Sequence, residues 1–352
     1  MTIIIPMAGN SSRFPDMKPK WMLTHPSGKY MTIQSLSGLN LNNVKNIVFI
    51  YLQEHEDKFH FLRGFVRELS KLGIYKYITC PLNEKTKDVV ESVSIAIEKY
   101  NISGPILIKD PDAFFSCSNI VSGNFVFYSN LKNVGLIKPH SKSYITIDEN
   151  NIITNIVEKS VVSQTFCVGG YLFEDAEKFM EIVRSLKTIK AERYISDIIC
   201  AAILYKKLIF KGIEIFDFED WGTLEEWNIY QKRFVTLFVD IDGVIVENAS
   251  NHFPPYVGES GPLKENVEYL KSLSKSRVEI VFTTSRNEEY RKETESQLKE
   301  LGLEYKQLIM GLRHNRRIIV NDYSKTNPYR SCDAINIPRN QNILKELLEN
   351  VI

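Results

Sequence analysis

Strand–helix alternation starts twice in this chain, at Thr2 and again at Phe234, and each start is a short apolar strand that runs straight into a loop suited to phosphate. The first is Thr2-Ile3-Ile4-Ile5-Pro6, followed by Met7-Ala8-Gly9-Asn10-Ser11-Ser12-Arg13, with Lys20 shortly after. The second is Phe234-Val235-Thr236-Leu237-Phe238-Val239, followed by Asp240-Ile241-Asp242-Gly243-Val244. A strand that hands over to a helix in this way restricts the chain to α/β architecture, with parallel strands, right-handed crossovers and ligands at the carboxyl ends of the strands. Two different signatures, each with downstream partners, imply two active sites.

The alternation can be followed in both halves. Residues 2–6, 46–51, 75–79 and 105–109 read as strands, and residues 54–72 and 87–99 carry apolar side chains at the three- and four-residue spacing of helices. Between 120 and 173 the texture changes to strands and turns, with a hairpin of 144–148 and 152–157 across Glu149-Asn150-Asn151, a turn without the usual glycine. Helical patterns return at 175–186, 194–205 and 221–231. After residue 233 strands are expected at 234–239, 278–283, 317–320 and 334–337, and helices at 263–273, 288–301 and 341–351. The expected domains are therefore 1–233 and 234–352, each long enough to bury its own core. No Pro/Gly/Ser-rich linker marks the boundary, and no internal repeat is present.

Composition narrows the partners. The formal net charge of +1 gives no reason to expect nucleic acid or an anionic membrane surface, so phosphate binding must come from a few placed residues. Cys80, Cys117, Cys167, Cys200 and Cys332 are scattered and odd in number, which argues against a disulfide framework or structural zinc and fits a reducing cytosol. No signal-like N-terminus or membrane-span-length apolar run is read, so the expected location is cytoplasmic. A homodimer is left open.

In the first loop, Ala8, Gly9, Ser11 and Ser12 are small enough to let backbone N–H groups approach phosphate oxygens, Arg13 adds a forked donor and Lys20 a point charge. This arrangement resembles the sugar-nucleotidyltransferase family over roughly residues 1–232. That family joins a nucleoside triphosphate to a sugar, polyol or choline phosphate and releases pyrophosphate. Its signature is an (L/M)AG-G-x-x-R loop followed by a Pro-Lys pair; Asn10 and Ser11 stand in a stretch usually richer in glycine, while Arg13, Pro19 and Lys20 are retained. The resemblance implies a Rossmann-like domain with a mixed sheet, and nucleotide contacts from Ala8, Gly9, Asn10, Ser11, Ser12 and Arg13. Thr86-Lys87 sits where the family has a segment touching the base, with Asp88 replacing a common glycine.

Two acidic stretches extend the resemblance. Ile106-Leu107-Ile108-Lys109-Asp110-Pro111-Asp112 ends a strand in two carboxylates, and Phe218-Glu219-Asp220-Trp221-Gly222-Thr223 resembles the family's second metal aspartate. Mg²⁺ takes hard oxygen ligands and keeps waters while bridging substrate phosphates, so Asp112 and Asp220 suffice as protein ligands, with Asp110 as the alternative. Asp112 also counts among the nucleotide contacts. Val157-Glu158-Lys159 and Cys167-Val168-Gly169-Gly170-Tyr171 match the family's acceptor-side strands, which implies acceptor contacts from Glu158, Lys159 and Gly169, together with Lys20. The Lys109-to-Asp112 strand end and Lys18-Pro19-Lys20-Trp21 look closest to cytidylyltransferase-like members, making CTP the expected donor. In such chemistry the acceptor phosphate attacks the α-phosphorus in line, and Arg13, Lys20 and Mg²⁺ offset the repulsion between anions.

The second signature resembles the haloacid-dehalogenase-type phosphatases, a smaller Rossmann-like domain. The resemblance implies that Asp240 is the nucleophile that forms an aspartyl-phosphate and that Asp242 protonates the leaving group and then activates water. Val281-Phe282-Thr283-Thr284-Ser285-Arg286 resembles the second motif, whose hydroxyl binds the phosphoryl group; Thr284 is the first choice and Thr283 the alternative. Ile318-Ile319-Val320-Asn321-Asp322 resembles the acidic fourth motif, implying a second Mg²⁺ site from Asp240, the Asp242 carbonyl and Asp322. The third motif normally supplies a lysine, but residues 310–317 contain none; Arg313 is the first substitute, then Arg317 or Lys325. The spacings of 42 positions from Asp242 to Thr284 and 38 from Thr284 to Asp322 leave no room for a sizeable cap domain.

The sequence thus leads to a bifunctional enzyme, a nucleotidyltransferase followed by a capless phosphatase, whose products by resemblance would supply capsule or other surface polysaccharide. The alternative keeps the transferase and makes the second domain a degenerate phosphatase fold that binds or dimerises. A non-catalytic sensor of sugar nucleotides is a third reading, disfavoured by both acidic sets standing in order.

Overall fold

The computed structural model describes residues 1–9, 13–120, 122–135, 138–186, 192–248, 252, 261–273, 275–324, 330–349 and 351. Asn10, Ser11, Ser12 and Lys325 therefore lie outside the described residues. The chain divides into two compact units, Met1–Trp227 and Asn228–Ile352, with the division inside the helix Leu224–Lys232. No helix among the described residues is long and apolar enough to cross a membrane.

The first unit is built on β1 (Thr2–Pro6), β2 (Asn46–Leu52), β3 (Tyr77–Leu82), β4 (Ile106–Lys109), β5 (Ala113–Phe114), β6 (Phe125–Asn130), β7 (Ser143–Ile147), β8 (Ile153–Glu158), β9 (Thr165–Phe173), β10 (Lys211–Glu214) and β11 (Glu219–Asp220). Its main sheet runs β10-β6-β9-β4-β1-β2-β3, with the β7–β8 hairpin joined to β9. β1 lies parallel between β2 and β4, and β9 is antiparallel to both β4 and β6, so the sheet is mixed. The central strands β1, β2 and β4 are apolar at nearly every position, with Thr2, Asn46 and Lys109 at their ends as the exceptions, because both faces are covered. Ile4, Val48 and Ile50 pack into one core with the helices Val89–Lys99 and Ile195–Lys206; Ile3, Ile5 and Phe49 pack into a second with Leu62–Lys71. β5 and β11 form a separate antiparallel ribbon that pairs Ala113 with Asp220.

Three details depart from the sequence expectation for physical reasons. The helix expected over 54–72 is two helices, Gln53–Phe59 and Leu62–Lys71, broken at His60 with φ 46°. The break turns Phe61 into the core edge-on against Trp21 and Tyr51, and Glu56 accepts from the Leu62 N–H at 2.9 Å to cap the second helix. β3 starts two residues later than expected and carries Pro81, tolerated because β3 ends the sheet order and has a neighbour on one side alone. The glycine-free hairpin closes because Asn151 adopts φ 62° while the Asp148 carboxylate accepts from the N–H groups of Asn150 and Ile152, both at 2.9 Å.

Among its described residues the second unit holds three parallel strands, β12 (Val235–Asp240), β13 (Val278–Thr283) and β14 (Gln307–Ile309), in the order β12-β13-β14. Helices Lys264–Ser272 and Arg291–Glu300 contribute Val267, Leu270 and Leu298 to a core with Val239, Ile241 and Phe282. β14 was not anticipated, and the strands expected at 317–320 and 334–337 are not formed. Ile318, Ile319 and Val320 are instead 70%, 55% and 92% exposed. A β-prone run needs a partner strand and a face to bury, and among the described residues it has neither. The last helix is confined to Leu344–Leu348.

Candidate active sites

Two carboxylates converge in the first unit because β5 and β11 pair. Asp112 immediately precedes β5 and Asp220 ends β11; the Trp221 N–H donates to the Asp112 carbonyl at 2.9 Å. A Cβ built on Gly222 would stand 3.1 Å from Asp220 Oδ1 and 3.5 Å from Asp112 Oδ2, so both side chains face the space that this glycine leaves open. Each carries its own cation: Lys20 Nζ pairs with Asp112 Oδ2, and Lys142 Nζ lies 2.5 Å from Asp220 Oδ2. Lys20 stands on the short helix Lys20–Met22, anchored by the buried Trp21. Burial pushes the Asp112 carboxyl up, but the Lys20 and Lys142 charges outweigh it and hold the group below the usual carboxylate range. Burial likewise opposes charge on Lys142, and Asp220 more than compensates, so its ammonium is stabilised.

Beneath this pair lies a fully buried lysine. Lys109 ends the apolar run of β4, donates from Nζ to the carbonyls of Asp110 (2.8 Å) and Ala113, and sits 4.7 Å from the centroid of the Phe115 ring. Burial lowers it to about 8. One ammonium thus ties together both ends of the loop that presents Asp112. Asp110, the alternative ligand, packs against Gly169; burial first and the Asp112 charge second raise it to about 6. Gly169 has φ +79°, its carbonyl accepts from the Asp110 N–H at 2.8 Å, and a Cβ there would fall 2.8 Å from Asp110 Cβ. Gly169→Ala is therefore expected to destabilise the first unit by on the order of 2 kcal/mol, from backbone strain plus the clash. Denaturant unfolding reads this directly, and an unchanged midpoint would refute it.

The other expected residues fall as follows. Ala8 is buried and Gly9 exposed, while Arg13 is exposed and close enough to Tyr194 for its charge to lower that phenol's pKa, although burial and Glu192 leave it raised overall. Thr86 Oγ1 lies 2.5 Å from Ser92 Oγ, and the Lys87 N–H donates to Glu91 Oε2 at 2.5 Å. Asp88 caps the helix Val89–Lys99 through the Glu91 N–H and takes Arg193 Nε at 2.9 Å, a structural task that a glycine could not perform. Glu158 accepts from the hydroxyls of Ser143 and Ser196, the latter at 2.6 Å. Lys159 lies over the Tyr194 ring at 4.1 Å, and the Tyr194 hydroxyl donates to Glu192 at 2.5 Å. Lys109 entered the sequence reading only through the strand end that suggests CTP, and Lys142, Tyr194 and Arg193 carried no role in it. A lysine closing an apolar strand was a visible signal for the first; Lys142 and Arg193 are joined to Asp220 and Asp88 by tertiary contact alone.

Asp112 and Asp220 fit Mg²⁺ as two hard oxygen donors facing a common space, with substrate phosphate and water completing the shell. Among the described residues, no group of three or more His, Cys, Asp or Glu side chains is arranged to hold a metal without such help.

In the second unit Asp240 and Asp242 line a cavity of about 310 Å³, with Ser285, His314 and Arg317 among the other walls. Asp242 is locked in place. Arg286, fully buried, reaches its two oxygens from Nε at 3.1 and 3.0 Å and from Nη2 at 2.8 Å, and Thr284 Oγ1 donates to Oδ2 at 3.0 Å. Arg286 is itself held by Gln297 Oε1 at 2.9 Å and Thr294 Oγ1 at 3.3 Å. Burial raises the Asp240 carboxyl above its usual range, and Arg317 offsets part of the effect.

Three expectations change here. Thr284 is fully buried and its hydroxyl is used on Asp242, so Ser285 is the hydroxyl on the cavity wall; the alternative, Thr283, is buried with its hydroxyl directed at the Val239 carbonyl. The cation that reaches Asp240 is Arg317, at 3.5 Å from Oδ1 and 3.4 Å from Ser285 Oγ, whereas Arg313 is exposed and absent from the cavity wall. Asp322 is exposed on an irregular segment, also off that wall, because no strand forms at 317–320 to carry it there. With Asp322 off that wall, the set of Asp240, the Asp242 carbonyl and Asp322 expected for a second Mg²⁺ is not brought together there.

No protein-family model and no curated protein matches the chain. Solved structures do match. One is a nucleoside-diphosphate-sugar pyrophosphorylase from Vibrio cholerae RC9, 22% identical, covering 65% of this chain and 98% of that one with a TM-score of 0.55. Another is the inositol-1-phosphate CTP transferase from T. maritima, 18% identical, covering 65% of this chain and 93% of that one with a TM-score of 0.53. At these identities the likeness is one of fold. It spans the same share of the chain as the first unit, 227 of 352 residues.

Proposed function

We propose that the first unit is a nucleotidyltransferase that joins a nucleoside triphosphate, CTP in our reading, to a sugar or polyol phosphate with release of pyrophosphate. The observation that carries this reading is the β5–β11 pairing that sets Asp112 and Asp220 around Gly222 beside Lys20 and Lys142. An acceptor phosphate oxygen forms the new bond to the α-phosphorus as the bond to the bridging oxygen breaks, and no general base is needed because the phosphate is already ionised. Mg²⁺, held by Asp112 and Asp220, would neutralise charge on the triphosphate. Lys20 and Arg13 bind and orient the phosphates, Lys109 holds the Asp112 loop rigid, and Glu158, Lys159 and Gly169 form the acceptor side. The proteins of like fold, a sugar pyrophosphorylase and an inositol-phosphate CTP transferase, act on substrates of this class.

In the same reading the second unit is a phosphatase. The Asp240 carboxylate attacks phosphorus, the ester oxygen leaves with a proton, and water then opens the aspartyl-phosphate; Asp242, fixed by Arg286 and Thr284, is the group that gives and recovers that proton. Arg317 and Ser285 bind the phosphoryl oxygens. The two activities together would make activated precursors for capsule or other surface polysaccharide. A second reading, in which this unit binds but does not hydrolyse, is favoured by the position of Asp322 outside the cavity.

The test incubates the full chain and Mg²⁺ with each of the four ribonucleoside triphosphates and a panel of sugar and polyol phosphates. Pyrophosphate release with CTP is expected to exceed that with the other triphosphates by at least about tenfold for one acceptor class. Absence of pyrophosphate with every pair would defeat the transferase reading. Hydrolysis of a generic aryl phosphate decides between the two readings of the second unit.

A further inference from the structure

The cavity of the second unit holds a guanidinium that neither of its aspartates engages. Asp242 is matched by Arg286 and Asp240 by Arg317. A further guanidinium, Arg339, lines the same cavity, and among the described residues no carboxylate pairs with it. It arrives from a different loop than Arg317 and is held there by the turn that presents Asp240. Gly243 has φ +96°, and a Cβ on it would meet Arg339 Cγ at 3.0 Å, so the arginine stem runs across the glycine. The Gly243 carbonyl accepts from the Asn340 N–H at 2.9 Å, and Asn340 Oδ1 accepts from the Asn248 N–H at 2.8 Å. With its amide oxygen turned to the arginine, Asn248 accepts from Nε at 2.8 Å and Nη1 at 3.1 Å. A neutral amide thus orients the guanidinium without cancelling its charge.

We propose that this cavity selects phosphomonoesters bearing a second anionic group, a carboxylate or another phosphate, and that Arg339 is the residue that receives it. The proposal rests on the phosphatase reading of Asp240. The second anion lies on the part of the substrate that is retained after hydrolysis, so it adds to binding and orientation without entering the bond changes at phosphorus. Arginine suits both carboxylate and phosphate because its planar fork matches either.

The experiment compares kcat/KM of the full chain for two matched pairs: sn-glycerol 3-phosphate against 3-phosphoglycerate, and glucose 6-phosphate against glucose 1,6-bisphosphate. At least one anion-bearing member is expected to be preferred by about tenfold or more, and the pair that shows it identifies carboxylate or phosphate as the group. Arg339→Met is expected to lower kcat/KM for that substrate about tenfold more than for its plain counterpart, with Arg339→Lys intermediate. Ratios within twofold for both pairs in the wild type, or equal losses across all four substrates in Arg339→Met, would overturn the proposal while leaving the phosphatase intact. Failure of the wild type to hydrolyse any of the four, or a generic aryl phosphate, would remove the phosphatase reading and this proposal with it.

Discussion

Asp240→Asn is expected to lower phosphate release by at least about a thousandfold while nucleotidyl transfer stays within about twofold of wild type, because only the first reaction loses its nucleophile. The amide matches the carboxylate in size, so the cavity keeps its shape; what is lost is the anionic oxygen that bonds to phosphorus and the charge that Arg317 answers. Asp240 is also the cleaner handle of the two aspartates. Removing Asp242 would strand the fully buried Arg286, and an unpaired buried charge typically costs about 3–5 kcal/mol, enough to confuse unfolding with lost chemistry. The residues assigned to transfer all belong to Met1–Trp227, which has its own cores. Loss of both activities in Asp240→Asn would defeat the two-site reading. Retention of aryl phosphate hydrolysis would show that Asp240 is not the nucleophile.

What could be read from the sequence was local. The runs Thr2–Pro6, Asn46–Leu52 and Ile106–Lys109 announce themselves because strands covered on both faces are apolar almost throughout, and Val235–Asp240 does so as a β-prone run although Thr236 and Phe238 are exposed. The two acidic stretches ending at Asp112 and Asp220 were visible as motifs, but the two-residue ribbon that brings them to one glycine was not, since strands that short carry no periodicity. Lys142 on Asp220 and Arg193 on Asp88 join segments about 80 and 105 positions apart, and nothing in either segment announces the other. In the second unit the hydroxyl on the cavity wall is that of Ser285, one residue on from the Thr284 read from the sequence. Thr284 and Ser285 differ by which side of the strand end they face, and that parity depends on where β13 stops. The run Ile318-Ile319-Val320 shows the limit of propensity: it has the composition of a strand, yet β12 has β13 as its strand partner and the run stays exposed.

The second large effect belongs to the paired carboxylates of the first unit. Asp112→Asn and Asp220→Asn are each expected to reduce nucleotidyl transfer by roughly a hundredfold to a thousandfold, and to raise the Mg²⁺ concentration for half-maximal rate by at least about tenfold. Each substitution keeps side-chain volume but removes the negative charge that Lys20 or Lys142 now neutralises. The site would then repel a divalent cation, because three lysines, Lys20, Lys109 and Lys142, remain around one carboxylate fewer. A purely structural role predicts something different: lower stability, with the Mg²⁺ dependence of the remaining activity unmoved. Lys109→Met separates the cases further. It leaves both carboxylates in place but frees the carbonyls of Asp110 and Ala113, so the loop that presents Asp112 loses its tie. Its Mg²⁺ requirement is expected to rise in the same direction as in Asp112→Asn, measured as pyrophosphate release against Mg²⁺ at saturating triphosphate. If all three variants titrate with Mg²⁺ like the wild type, Asp112 and Asp220 are an ion-paired scaffold and the cation binds elsewhere.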